Sequence, residues 1–219
     1  MTASGSFDPS RLRVYVVTSA AFAGRGHLDV AHAAIRGGAT AVQLRAPELD
    51  DDALERLARE LVAACRRANV LSIVNDRPEV AVAAGADGAH VGQGDDLEHA
   101  RQVLGGRYVE GISVADVEQA DRAVELGADY LGVTVWGTAT KPDALPGGPD
   151  GLRSIATRTP LPVVGIGGVD AGNAAQVIEA GAAGVALISA VANAPDPAVA
   201  THDVRRAVEM ALERRGDAR

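Results

Sequence analysis

Short, nearly uncharged apolar runs recur along this chain, separated by longer stretches in which apolar residues return every three or four positions. The first pattern is that of strands buried on both faces, the second that of helices with one covered side. Strands are predicted over Val14 to Thr18, Ala41 to Leu44, Val70 to Val74, Gly88 to Val91, Tyr108 to Ile112, Tyr130 to Val133, Pro162 to Gly165 and Val185 to Ile188. Helices are predicted over His27 to Arg36, from about Asp50 to Ala68, over Pro78 to Gly85, Leu97 to Leu104, Val117 to Leu126, Gly151 to Ala156 and Gly172 to Ala180, with an amphipathic helix over Asp203 to Arg215. The acidic cluster Asp50 to Asp52 suits a helix start, where side-chain oxygens cap free amides and the helix field favours negative charge. Pro78 suits a first helical position.

The segments GGATAVQL, AGADGAHV, LGADYLGV and AGAAGVAL repeat one design: a glycine ends a helix, an alanine follows, and a strand begins about two residues later. Glycine supplies the left-handed cap and the small residue lets the chain turn back under the sheet. Eight strand–helix units in this length predict a closed (β/α)8 TIM barrel. An open doubly wound sheet is the rival. It calls for GxGxxG after the first strand, and GRGHLD at Gly24 to Asp29 is a poor version of that signal. One barrel domain is expected over residues 13–215, with a flexible lead-in over 1–12 and a frayed end over 216–219.

Composition narrows the picture. The 219 residues are 47% apolar, and 29 acidic against 21 basic residues give a formal charge of −8, which disfavours a general nucleic-acid binder. A single cysteine, Cys65, excludes an intramolecular disulfide framework; within LARELVAACRRA it reads as a structural thiol. The N-terminal MTASGSFDPS lacks a basic start followed by an apolar core, and no uncharged run reads as a membrane span. The expectation is a cytoplasmic protein with no membrane partner.

In a barrel, ligand-binding groups belong in the loops after the strand ends. Polar residues interrupt the apolar runs at those places: Gln43 and Arg45, Asn75 and Asp76, Gln93 and Asp95, Ser113, Thr138 to Lys141, Gly167 and Gly168, and Ser189. VVGIGGVD at Val163 to Asp170 reads as a strand, a glycine turn and a helix start, a natural cradle for an anion. Lys141 is the only lysine among the 21 basic residues and sits in the longest irregular stretch, Thr134 to Pro149. Its flexible ammonium, with two threonines beside it, suits an anionic or electron-rich ligand. Trp136 either packs against the base of that loop or stacks on a ligand. Asp76 and Asp95 follow neighbouring strands; each caps a helix or offers a hard oxygen ligand, and two such ligands with room for water and phosphate suit Mg2+ better than zinc. The five histidines are scattered, with His90 read as packed inside the fourth strand. No GxSxG elbow and no phosphate-binding loop ending in GK[ST] is present, so acyl hydrolysis and nucleoside-triphosphate hydrolysis have no support.

VQLR at Val42 to Arg45, NDRP at Asn75 to Pro78, ADGAHVGQGD at Ala86 to Asp95, GTATKPDA at Gly137 to Ala144, GIGGV at Gly165 to Val169 and ISAV at Ile188 to Val191 occur in this order across essentially the whole chain. Together they resemble the thiamine-phosphate synthase family and its close relatives, the thiazole tautomerase-like proteins of thiamine metabolism. The resemblance implies a transferase that joins an aminopyrimidine diphosphate to a thiazole phosphate, releasing diphosphate. It implies that Gln43, Asn75 and Lys141 address the pyrimidine, that Arg45, Ser113 and Lys141 face the diphosphate, and that Asp76 and Asp95 hold Mg2+. Thr138 and Thr140 would border the thiazole, and Gly168, Ile188 and Ser189 would bind its phosphate. The implied chemistry is largely dissociative and needs orientation, charge stabilisation and exclusion of water rather than a general base. A homodimer is expected on the same resemblance.

Three positions depart from the family pattern. Synthases usually read QxRxK after the second strand, and here the lysine position is Pro47. Gly94 stands before Asp95 where an acidic residue is common. The tautomerase histidine, two residues after the serine, is Ala115. The alternatives to a synthase are therefore a tautomerase-like or repurposed enzyme, or a non-catalytic thiazole-phosphate binder.

Overall fold

The computed structural model describes residues 7–19, 24–92, 94–137 and 146–217. Eight parallel strands close in sequence order: β1 (Val14–Val17), β2 (Ala41–Leu44), β3 (Leu71–Asn75), β4 (Gly88–Val91), β5 (Val109–Val114), β6 (Tyr130–Thr134), β7 (Val163–Ile166) and β8 (Gly184–Leu187). The seam pairs Val14 with Val185 and Val16 with Leu187. Helices α1 (His27–Arg36), α2 (Asp51–Ala68), α3 (Pro78–Ala84), α4 (Leu97–Leu104), α5 (Val117–Leu126), α6 (Gly148–Ala156), α7 (Ala174–Glu179), α8 (Ser189–Ala192) and α9 (Pro197–Asp217) accompany the strands. This is the (β/α)8 barrel, and the open-sheet rival falls with the β1–β8 pairing. Among the described residues no helix is long and apolar enough to cross a membrane.

Period-two alternation divides the strand side chains between two cores. Val14, Val16, Val42, Leu44, Val74, Leu131 and Leu187 face outward into a continuous cluster shared with the helices. Tyr15, Val17, Ala41, Leu71, Ile73, Tyr130, Val164 and Ala186 fill the barrel interior. Cys65 belongs to the outer cluster, fully buried, and burial pushes its thiol up to about 12. It is a structural residue.

Aspartates set the helix starts. Asp50, Asp96 and Asp116 each accept a hydrogen bond from the amide three residues on, and glycines in the left-handed region end α3, α4 and α5. Several boundaries differ from those predicted, α6 beginning at Gly148 rather than Gly151 among them. β5 extends two residues further, α7 begins at Ala174 rather than Gly172, α9 begins at Pro197, and the four-residue α8 follows β8 directly. The lead-in is also firmer than expected: Pro9–Leu12 form a short 3-10 helix capped by Asp8. Leu12 is fully buried in the interior cluster, and the ring of Phe7 stacks on Tyr130 at 6.2 Å. Because this segment precedes β1, it forms the floor of the barrel and leaves the opposite, carboxyl end as the mouth.

Candidate active site

At the mouth, the β7 turn is built around two glycines in the left-handed region, Gly167 at φ 87° and Gly168 at φ 67°. A Cβ on Gly167 would lie 2.6 Å from the carbonyl oxygen of Trp136, so backbone and space together demand glycine there. Trp136 is half-buried against the core and donates its amide to Gly167 O, so it supports the turn from behind. Asn173 secures the other side: Nδ2 donates to Gly168 O at 2.8 Å and Oδ1 accepts from the Asp170 amide at 2.9 Å. The predicted helix start immediately behind the turn is thus replaced by a hydrogen-bonded loop. After the next strand, β8, Ile188 caps α8 and Ser189 opens it, and both Ser189 and Gly168 are exposed. A glycine turn after strand seven and a short extra helix after strand eight is the arrangement by which barrels bind phosphate.

The two predicted metal ligands follow the neighbouring strands β3 and β4, and neither caps a helix. The cap of α3 is Arg77, and that of α4 is Asp96, whose Oδ1 accepts from the His99 amide at 2.9 Å. Asp76 is exposed, its backbone lies at φ 57°, and its N–H donates a hydrogen bond to His90 O at 2.9 Å. Asp95 is exposed too, and its carboxylate accepts from the Gly92 amide to close a tight turn. Among the described residues no group of three or more His, Cys, Asp or Glu gathers around a metal position. The donor chemistry is all oxygen and leaves most of a coordination shell to water or ligand phosphate, which fits Mg2+ and not a structural zinc.

Around the β2 end, Thr18, His27 and Glu48 form a second anchored group. His27 is 7% exposed, and its ring joins Thr18 Oγ1 through Nδ1 and Glu48 Oε1 through Nε2, both at 2.9 Å. Thr18 Oγ1 also accepts from the Arg45 amide at 3.3 Å, so this group fixes the backbone that carries Arg45. Burial opposes ionisation of Glu48, yet the bond to His27 and the charges of His27 and Arg45 hold its carboxyl below the usual range. Pro47 is exposed and brings no charge. Arg77 does not replace the missing lysine: its guanidinium donates to Leu49 O at 2.8 Å and pairs with Asp51 at 3.1 Å, at the start of α2.

Below the mouth a polar chain crosses the interior. Gln43 Nε2 donates to Tyr15 Oη at 2.7 Å, Tyr15 Oη meets Tyr130 Oη at 2.9 Å, and Tyr130 Oη meets His90 Nδ1 at 3.0 Å. His90 Nε2 then reaches Ser113 Oγ at 2.9 Å. His90 is packed against Tyr130 inside the barrel, as read, and its ring also links Tyr130 to Ser113, so that the hydrogen-bond chain runs between Gln43 and Ser113, two residues predicted to touch ligand. Asn75 pairs with His90 in the β3–β4 register and stands at the same level. Tyr15, Tyr130, Thr18, His27 and Asn173 were not predicted, because a tyrosine in an apolar run and a histidine at a helix start read as core or surface. Lys141, Thr138, Thr140 and Gln93 lie outside the described residues.

Fold and site together define a (β/α)8 barrel of the kind that takes phosphorylated ligands at the carboxyl ends of its strands. The family model described as thiamine monophosphate synthase matches residues 14–191. A thiamine-phosphate synthase of Roseiflexus sp. (strain RS-1) is 47% identical over 94% of this chain and 89% of its own length. One from Methanoregula boonei is 44% identical over 93% of this chain and 96% of its own. A solved structure, thiamine phosphate pyrophosphorylase from Pyrococcus furiosus, superposes with a TM-score of 0.86 at 35% identity, over 93% of this chain and 98% of that one. The chain belongs to the thiamine-phosphate synthase family.

Proposed function

We propose that the chain is a Mg2+-dependent thiamine-phosphate synthase, coupling hydroxymethylpyrimidine diphosphate to thiazole phosphate. The observation that carries the assignment is that, in a member of this family, one barrel end presents the left-handed Gly167–Gly168 turn, the exposed carboxylates of Asp76 and Asp95 after neighbouring strands, and the buried amide of Gln43. The pyrimidine methylene–oxygen bond breaks with its electron pair leaving on diphosphate, and the thiazole nitrogen then donates the pair that forms the new carbon–nitrogen bond. Asp76 and Asp95 would hold Mg2+, which would supply positive charge against the negative charge building up on the departing diphosphate. Arg45 and Lys141 add cationic stabilisation, and Ser113 donates to the same group. Gln43 and Asn75 orient the pyrimidine, while Gly168, Ile188 and Ser189 hold the thiazole phosphate with Thr138 and Thr140 at its ring. The reading includes a cytoplasmic homodimer.

The deciding experiment supplies both purified substrates with Mg2+ and measures thiamine phosphate. Turnover that disappears on chelation and in Lys141→Ala is expected. Thiazole-phosphate binding without turnover would replace the synthase reading with that of a binding protein.

A further inference from the structure

We propose that His90 is a positioning residue, whose place in a one-way hydrogen-bond chain from Gln43 turns the Ser113 hydroxyl proton toward an anionic ligand in the mouth. The proposal rests on the synthase reading only in naming that anion as the diphosphate.

The direction follows from counting protons. Tyr15 Oη accepts from Gln43 Nε2, so its own single proton goes to the oxygen 2.9 Å away on Tyr130. Were Tyr15 to accept from both, its buried proton would lack an acceptor within the chain, at the cost of an unmade buried hydrogen bond. Tyr130 in turn gives its proton to His90 Nδ1, 3.0 Å away. A neutral imidazole accepting at Nδ1 carries its hydrogen on Nε2, and there it donates to Ser113 Oγ at 2.9 Å. Ser113 accepts from below, and its one proton is left to point away from His90. Burial pushes both phenols above their ordinary values, so they remain neutral donors throughout the working range.

The surrounding backbone is shaped to this chain. A Cβ on Gly111 would lie 2.1 Å from the Tyr130 ring and 2.5 Å from His90 Nδ1, and one on Gly132 would lie 3.0 Å from His90 Cε1. Neither glycine has a positive φ, so space for these two rings, not turn geometry, is what each provides. The chain draws on β1, β2, β4, β5 and β6, and links the Gln43 and Ser113 sides of the mouth without using a loop.

The test compares Ser113→Ala, His90→Asn, His90→Gln, Tyr130→Phe and the Ser113→Ala/His90→Asn double variant. Readouts are kcat and KM, binding of inorganic diphosphate with Mg2+, and the imidazole nitrogen resonances of His90. The wild type is expected to show hydrogen on Nε2. Ser113→Ala and His90→Asn should each lower kcat, and weaken diphosphate binding, by the same factor of roughly ten to a hundred, with no further loss in the double variant. His90→Gln, whose amide nitrogen reaches the place of Nε2, should recover most of the loss, and Tyr130→Phe should release the fixed tautomer. Hydrogen on Nδ1 in the wild type, or losses that multiply in the double variant, would overturn the proposal. If the wild type made no thiamine phosphate while the tautomer and diphosphate results held, the synthase reading would fail and this one would stand.

Discussion

Asp76 carries its carboxylate on a left-handed backbone at φ 57°, a conformation that costs most side chains roughly 1–2 kcal/mol and that aspartate and asparagine tolerate best. It is not the helix cap that its place before Pro78 invites, since Arg77 holds that position. Asp76→Asn keeps the shape and the backbone preference and removes the charge. Its thermal midpoint should stay near that of the wild type while kcat/KM falls by about a hundredfold at fixed Mg2+, as measured by a metal titration of the steady-state rate. A shifted midpoint with an unchanged metal dependence would make Asp76 a structural residue. This residue was legible because a carboxylate ending an apolar run stands out. Tyr15 and Tyr130 were not, since their rings satisfy the apolar pattern and only their hydroxyls carry the information. Thr18 was absorbed into β1 for the same reason, its role being visible only when His27 and the Arg45 amide arrive from other parts of the chain.

Between α4, β5 and β6 lies a charged cluster far from ligand chemistry. Glu110 is fully buried, pairs with Arg101 at 3.3 Å, and leaves Oε1 without a hydrogen-bond partner among the described residues. Burial raises its carboxyl above the ordinary value of 4.5, the Arg101 charge opposing, and burial likewise raises Asp129, which accepts from the Glu110 amide. An acid whose folded-state value is raised costs no stability below its unfolded value and an increasing amount as pH rises through that value to the folded one. Glu110→Gln should therefore gain on the wild type in thermal midpoint as pH is raised from about 4 to about 8, the opposite of what a stabilising ion pair would give. At this scale the helix and strand identities were readable, and the ends were less so. The four residues of α8 are too few for a period. The true start of α9 rests on Asp196, which accepts from the Ala198 amide at 2.9 Å, and not on an apolar repeat.

Repetition of a glycine, an alanine and a strand was enough to predict the whole barrel, because eight units of one handedness have few ways to bury both faces of a parallel sheet. The floor was missed. Residues before β1 are polar and turn-rich, and nothing in them announces that Leu12 becomes fully buried or that Phe7 stacks on Tyr130. Leu12→Ala should cost about 2–5 kcal/mol in denaturant unfolding with an unchanged slope, because it empties the barrel interior rather than trimming a tail. A loss under about 0.5 kcal/mol would return the segment to the status of a frayed lead-in.

The seam between Val14 and Val185 also sets a clock. A ribosome makes β1 first and β8 last of the eight strands, and until that last strand has emerged β1 has β2 as a neighbour but lacks β8, and the Ser189 side of the mouth does not exist. Ligand cannot chaperone the nascent chain. It can reward only the finished ring, so substrate in the cell selects completed molecules and leaves the partly made ones to fold, or fail, without it.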